Sequence, residues 1–384
     1  MSLQNLREMF KTHKNVLNLL LYNGQMVRTD IAAALNITRS AITHRTISLS
    51  DAGLIYDVGD MNDIGPGRRS QILDINADAS YAVGIHRAGS EIEIGLVDFK
   101  GRIRGLKRYE APQTKVDNPE ILVRSMVEHT DQLIAESNIS VDRLLGLGIA
   151  SPAHCDTAMG VEHCTVMCDG KIKIVDMPIV KEMRKHLNYP VELCTNAWAM
   201  ALGERMYGSK LKNYIFIYVY QGVGIALVLE GFVHRGQGTA GTLGHVKVAT
   251  DGPLCTCGDR GCLESFVGRS TLLSQVNRYI DTDDLYFAAE IANQGNIDIT
   301  NIYMECGRYI AKAILPIIGV LEPEAVILAG PLAGVPKVID AVEKYLNENS
   351  WTGRTRGVSV KSSKLGRNAG VIGAASLVYN SLLE

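Results

Sequence analysis

The stretch GHVKVATDGPLCTCGDRGCLE, Gly244 to Glu264, decides how the chain is read. It sets His245, Cys255, Cys257 and Cys262 in the spacing H-x9-C-x-C-x4-C. Thiolates and imidazole are the preferred ligands of tetrahedral zinc, and Gly258 and Gly261 let the backbone curl until three sulfurs converge on one ion. Four protein ligands fill the tetrahedron, so the expected zinc is structural, one per chain, with no open position for an activating water. Asp259 and Arg260 read as solvated loop charges. Of the eight cysteines, the other five are scattered as Cys155, Cys164, Cys168, Cys194 and Cys306. Cys164 and Cys168 beside His163 form no comparable pattern, and free thiols are their expected state. Without a signal peptide in the polar stretch Met1 to Lys14, this cysteine usage points to a reducing cytoplasm and a metal site, not a disulfide framework.

Outward from the loop the chain alternates strands, turns and small-residue helices. Tyr214 to Tyr220 and Gly224 to Leu229 read as a hairpin; Gln221, Glu230 and two glycines argue against a membrane span there. YAVGI from Tyr81 and EIEIGLVDF ending at Phe99 read as another hairpin. Leu144 to Ala150 is a buried strand ending at Ser151-Pro152-Ala153, and Val191 to Cys194 leads into a helix from Asn196 to Met206. Ala325 to Ala329 ends at Gly330, and Gly370 to Leu383 is a small-residue helix. This pattern occurs twice, about 130 residues apart, and implies two α/β lobes with a ligand cleft between them. The 384 residues carry 46% apolar and 21% charged side chains, which excludes a disordered or fibrous chain.

The first 75 or so residues differ. Asn15 to Asn23 is an apolar helix ending at Gly24, and Thr29 is the expected N-cap of a helix from Asp30 to Leu35. Thr38 caps a third helix, Arg39 to Asp51, whose buried stripe is Ile42, Thr46 and Leu49. A strand from Leu54 to Val58, a Gly-Pro loop and a strand from Ser70 to Ile75 complete a winged helix-turn-helix plan. A net charge of −2 over the whole chain does not announce a nucleic-acid partner. The expectation of double-stranded DNA rests on placement instead. Arg39, Ser40, Thr43 and His44 crowd the exposed start of the third helix, where side chains reach base edges in the major groove. Arg68 and Arg69, behind Gly65-Pro66-Gly67, suit minor-groove or phosphate contact at the end of the wing.

These motifs together resemble the ROK family (repressor, open reading frame, kinase). The resemblance rests on Gly67-Arg68-Arg69 in the wing, GTLGH at Gly241 to His245 and CTCGDRGCLE at Cys255 to Glu264. PEAVILAGPL from Pro323 and GVIGAASL from Gly370 add to it. It covers essentially the whole chain and implies an α/β fold: a winged helix-turn-helix over 1–76, then a two-lobed actin/hexokinase-like (ribonuclease H-like) domain over 77–384. It further implies a sugar or sugar phosphate bound beside the zinc loop, and operator binding regulated by sugars or by protein partners.

Kinases of the family use an N-D-A aspartate as general base, and the matching position here is Asn196, whose amide cannot accept a proton at neutral pH. Their first phosphate loop corresponds to His86 through Ser90, where the metal-organising carboxylate is missing. The second corresponds to Tyr220 through Gly224, with a tyrosine where backbone would have to approach phosphate. No enzyme activity is therefore expected. For sugar binding, Thr242 replaces the family's glutamate, His245 remains, and Glu264 matches a second sugar-contacting carboxylate; Asn196 completes the expected ligand set. Glu264 reads equally well as a brace for the zinc loop. The resulting expectation is a cytoplasmic, sugar-responsive transcriptional repressor acting as a homodimer or tetramer on a palindromic operator. The alternatives are a sugar kinase with an added DNA-binding module, and a regulator controlled by a protein partner without a sugar.

Overall fold

The structure, a computed structural model, describes residues 2–60, 71–112, 119–168, 171–236 and 240–384. Two five-stranded sheets with the same internal plan form the two lobes. In the first, Tyr81–Ala88 is central, flanked on one side by antiparallel Glu91–Asp98 and Ile103–Glu110. On its other side lie parallel Leu144–Ser151 and Val191–Thr195. In the second, Tyr214–Val219 is central, with antiparallel Val223–Leu229 and Phe232–Val233 on one side and parallel Ala325–Ala329 and Ser359–Ser362 on the other. The duplication expected from the spacing of strand motifs is thus real. The third strand Ile103–Glu110 was not anticipated, because an edge strand half in solvent alternates exposed and half-buried positions and lacks an apolar run. A separate antiparallel sheet, His154–Asp156, Val161–Cys168 and Lys171–Met177, was not anticipated either. No helix among the described residues is long and apolar enough to cross a membrane.

The helix Ala369–Leu383 is nearly all buried and lies flat on the first sheet. Its small residues permit that approach, and so do two strand glycines. A Cβ on Gly84 would stand 2.0 Å from the Val371 carbonyl oxygen, and one on Gly148 would stand 1.9 Å from that of Ala374. The helix expected from Asn196 to Met206 is regular only over Asn196–Gly203. Glu204–Gly208 then winds into a wider π-turn. There Glu204 is buried and accepts hydrogen bonds from Ser363 Oγ (2.7 Å) and the Lys364 N–H (3.1 Å), and burial raises its pKa.

At the N-terminus, helices Leu3–Thr12, Lys14–Asn23, Arg28–Ala34 and Arg39–Asp51 pack with a three-stranded sheet of Met26–Val27, Gln71–Ile75 and Ile55–Asp60. Thr38 caps Arg39–Asp51 as expected, accepting the Ala41 N–H at 3.2 Å, and Ile42, Thr46 and Leu49 are its buried stripe. Thr29 is not a cap. The strand Met26–Val27 pairs with Leu73 and Ile72 and delivers the chain straight into a helix starting at Arg28. Val27 therefore holds the cap position, and the Thr29 hydroxyl faces Asp30. Residues 61–70, which include the end of the wing and Arg68 and Arg69, lie outside the described residues.

Leu3–Thr12, within the polar stretch Met1 to Lys14, is a helix. Leu6 and Phe10 on it are buried in an apolar cluster that runs without a break from Ile42 and Leu49 to Leu145, Val378 and Leu382. Phe10 meets Phe99 with ring centroids 4.7 Å apart, and Phe99 stacks on Tyr379 at 5.3 Å. Arg7 Nη1 donates to the Leu145 carbonyl (2.7 Å) and Asn18 Nδ2 to that of Leu383 (2.9 Å). The N-terminal helices are thereby seated on the first lobe and on the C-terminal helix.

Candidate functional site

His245, Cys255, Cys257 and Cys262 come together, each with a donor atom within 4.8 Å of all the others. Cys255 Sγ lies 3.6 Å from His245 Nδ1, and Cys257 Sγ lies 3.6 Å from Cys262 Sγ. The edges of a zinc tetrahedron with Zn–S near 2.3 Å and Zn–N near 2.05 Å are about 3.8 Å (S to S) and about 3.5 Å (S to N), so the donor set fits a metal such as zinc. The loop that achieves this closes on itself. Cys255 N–H donates to the Asp259 carbonyl at 2.7 Å, and Gly258 N–H to that of Cys255 at 2.9 Å. Gly261 takes φ +77° with the Ala249 carbonyl oxygen 2.0 Å from where a Cβ would be, which only glycine tolerates. Asp259 pairs with Lys247 at the surface, and Arg260 reaches the Gly252 carbonyl; neither joins the donor set. Among the described residues this is the single such His/Cys/Asp/Glu group. His163 instead faces Asp176 at 2.7 Å.

The metal loop forms one wall of a cleft between the lobes, a cavity of about 150 Å³. Asn196, Thr242, His245 and Glu264 all line it. Glu264, at the start of the helix Glu264–Val267, reaches both ways. Its Oε1 accepts from Thr256 Oγ1 in the metal loop (3.4 Å), and its Oε2 from the Val223 N–H of the cleft wall (3.3 Å). Asn196 opens its helix at the end of strand Val191–Thr195. Its Nδ2 donates to the Arg87 carbonyl (2.9 Å), while its Oδ1 is buried without a partner among the described residues. An amide oxygen can accept a hydrogen bond from a hydroxyl. Ser151, His154 and Gln221 also line the cleft and were missed. The available signal was the turn after Leu144–Ser151, since ligands gather at the carboxyl ends of parallel strands. Burial, then neighbouring His245 and His163, lower the pKa of His154.

Beyond Ala88, Tyr218 and Tyr220, which also line the cleft, lies a small cavity of about 30 Å³ bordered by His86, Tyr218, Tyr220 and Tyr286, room for a water or two. His86 packs edge-on against Tyr218 and puts Nδ1 3.0 Å from Glu93 Oε2, while Arg108 Nε holds Glu93 Oε1 at 2.5 Å. Burial alone would raise the Glu93 pKa, but His86 and Arg108 outweigh it and hold the carboxyl below its usual value. Tyr220 spans the lobes, its hydroxyl donating to Glu91 Oε2 at 2.8 Å; burial and that acceptor push its pKa up to about 12. Arg367 lies over the Tyr286 ring at 4.5 Å.

On the N-terminal unit Arg39, Ser40, Thr43 and His44 are all exposed at the start of Arg39–Asp51, on the face away from Ile42 and Leu49. The Thr43 hydroxyl donates to the Arg39 carbonyl at 2.7 Å. Arg45 is half-buried.

A winged helix-turn-helix seated on a two-lobed domain of actin/hexokinase plan is the class that this fold and site define. Residues 82–381 match the ROK family and residues 9–56 match winged helix-turn-helix DNA-binding proteins. The chain belongs to the ROK family. It is 25% identical over 375 residues to the xylose repressor of Bacillus subtilis strain 168, covering 97% of this chain and 95% of that one. It is 22% identical over 375 residues to the DNA-binding transcriptional dual regulator NagC of Escherichia coli K12, covering 94% and 90%. Among solved structures, a ROK family transcriptional regulator homologous to the E. coli MLC protein superposes with TM-score 0.77 at 20% identity, over 98% of this chain and 97% of that one. A ROK family glucokinase from Streptomyces griseus, in complex with glucose and AMPPNP, superposes with TM-score 0.62 at 22% identity, over 78% and 99%.

Proposed function

We propose that this chain is a DNA-binding transcriptional repressor of carbohydrate metabolism whose operator affinity is set by a sugar or sugar phosphate in the cleft. The reading divides it at residue 76, with the DNA reader before and the effector and dimerisation domain after. One observation carries it: the exposed recognition face stands on a unit whose core is continuous with the lobe that carries Asn196. A change in lobe closure is then transmitted to the reader through Phe10, Phe99 and Tyr379. In a homodimer or tetramer, half-site spacing acts as a geometric filter, so a small rotation of each reader releases the operator. The reader acts on DNA in the cytoplasm.

In this reading Arg39, Ser40, Thr43 and His44 contact base edges, with Arg68 and Arg69 on the backbone. Asn196 Oδ1 and the Glu264 carboxylate accept sugar hydroxyl protons, and Thr242 and His245 complete the ring of partners. His245, Cys255, Cys257 and Cys262 hold one structural Zn2+, which supplies cross-linking and no catalysis. Thr256, fixed between Cys255 and Cys257, then orients Glu264. Phosphoryl transfer is excluded from the proposal. Asn196 is no base, and His86 and Tyr220 stand where the family resemblance puts the phosphate loops, beside a cavity of only about 30 Å³. The test is selection of duplexes by the full-length chain, followed by thermal shifts with a panel of sugars and sugar phosphates. Enrichment of a palindrome and a shift that Glu264→Gln removes support the reading. No enrichment, or no ligand in the panel, overturns it.

A further inference from the structure

A second cavity, about 300 Å³, lies away from the cleft, at the seam between the N-terminal unit and the effector lobes. Its walls are the end of the helix Lys14–Asn23, the strand Gln71–Ile75, the turn following Glu91–Asp98, and the π-turn Glu204–Gly208. Four cations line it, Lys100, Arg102, Arg205 and Lys210, against a single carboxylate among the described lining residues, Asp74. Lys100 spends its charge on Asp74 at 2.7 Å, an ion pair that crosses the seam. Arg102 and Lys210 have exposed side chains, and Arg205 Nη1 is buried with no hydrogen-bond partner among the described residues. The Tyr207 hydroxyl on the same turn is also buried and unpartnered. Converging cations around a concave space are the electrostatics of an anion site.

We propose that this seam is a phosphate-binding site that clamps the DNA-reading unit to the effector lobes, held by Arg205, Arg102 and Lys210. Arg205, whose guanidinium carbon also lies 5.5 Å from the centre of the Phe232 ring, supplies charge from the wall, while Lys210 and Arg102 supply it from the rim. Asp74 sets the specificity, since it repels an anion approaching Lys100 and leaves the Arg205 end as the favoured position. The ligand is inorganic phosphate or the phosphate of a small ester. A rigid duplex does not enter a crevice of this size.

The site is independent of the sugar cleft, which makes the two separable. The full-length protein is titrated with inorganic phosphate against chloride at matched ionic strength, and its Tm is followed. A saturable rise of about 2 °C is expected at tenfold excess over the dissociation constant. Arg102→Ala/Lys210→Ala, both changes at exposed positions, removes it, as does the single charge reversal Lys210→Glu, while the cleft variant Glu264→Gln keeps it. In Glu264→Gln, a tighter midpoint for glucose 6-phosphate than for phosphate assigns the site to a phosphate ester, and an equal or weaker one to the free ion. No saturable rise, or a rise that survives both seam variants as a general salt effect, overturns the proposal. A rise lost only in Glu264→Gln moves the anion to the cleft and also overturns it.

Discussion

Phe10→Ala is the perturbation that bears most directly on how the reader is coupled to the lobes. Phe10 is 0% exposed, its ring sits 4.7 Å from Phe99 and 6.3 Å from Tyr379, and it joins the helix Leu3–Thr12 to the C-terminal helix. Truncating a fully buried phenylalanine costs about 3 to 5 kcal/mol through lost transfer energy and the cavity left behind. The cost falls on the contact between the units, not on the interior of either sheet. Both tryptophans, Trp198 and Trp351, are in the effector lobes, so their fluorescence reports those lobes alone, whereas far-ultraviolet circular dichroism also sees the N-terminal helices. In guanidinium chloride the variant should show an early circular-dichroism phase that is silent in tryptophan fluorescence. The ligand-induced change in operator affinity, ordinarily about 5- to 150-fold for a coupling of 1 to 3 kcal/mol, should fall toward unity. A loss of stability below about 1 kcal/mol, or undiminished coupling, would refute the reasoning.

Further outcomes are expected. Cys257→Ser/Cys262→Ser should lower bound zinc from about one per chain to none by elemental analysis and weaken sugar binding through Glu264, while Cys306→Ser, buried elsewhere, retains the metal. Arg39→Ala and His44→Ala, both at exposed positions, should leave Tm unchanged and each cost about 1 to 3 kcal/mol of operator binding by fluorescence anisotropy. Glu93, held below its usual pKa, stabilises the fold above the unfolded carboxylate range. That contribution is lost as pH falls through its folded pKa, so wild-type stability should decline more steeply in acid than that of Glu93→Gln. Asn196→Asp restores a carboxylate but leaves His86 and Tyr220 where the resemblance puts the phosphate loops, so ADP release with ATP and any sugar should stay at background.

The metal loop and the two-lobed plan were legible because both are written in short-range signals. Residue type and spacing fix a four-donor cluster, and strand runs ending in small residues repeat once per lobe. The recognition helix was legible for the same reason, from Thr38 and the Ile42, Thr46, Leu49 stripe. The contact between the two units was not. Leu3, Leu6 and Phe10 do follow helical spacing, but in so polar a stretch their meaning depends on Phe99 and Tyr379, which are remote in sequence. Thr29 failed as a cap because pairing of Met26 and Val27 across a sheet overrode a local preference. The departures from the kinase pattern at His86 and Tyr220 are legible in the sequence. That Tyr218 and Tyr286 border the same small cavity as those two needed the lobes brought together.

The central claim is that one sugar-filled cleft and one operator-bound reader share a single free energy. Operator affinity measured with and without saturating sugar, and sugar affinity measured with and without saturating operator, must change by the same factor if the sites are linked. The account predicts equal factors of at least about 5. Sugar binding that leaves the operator constant untouched would contradict it.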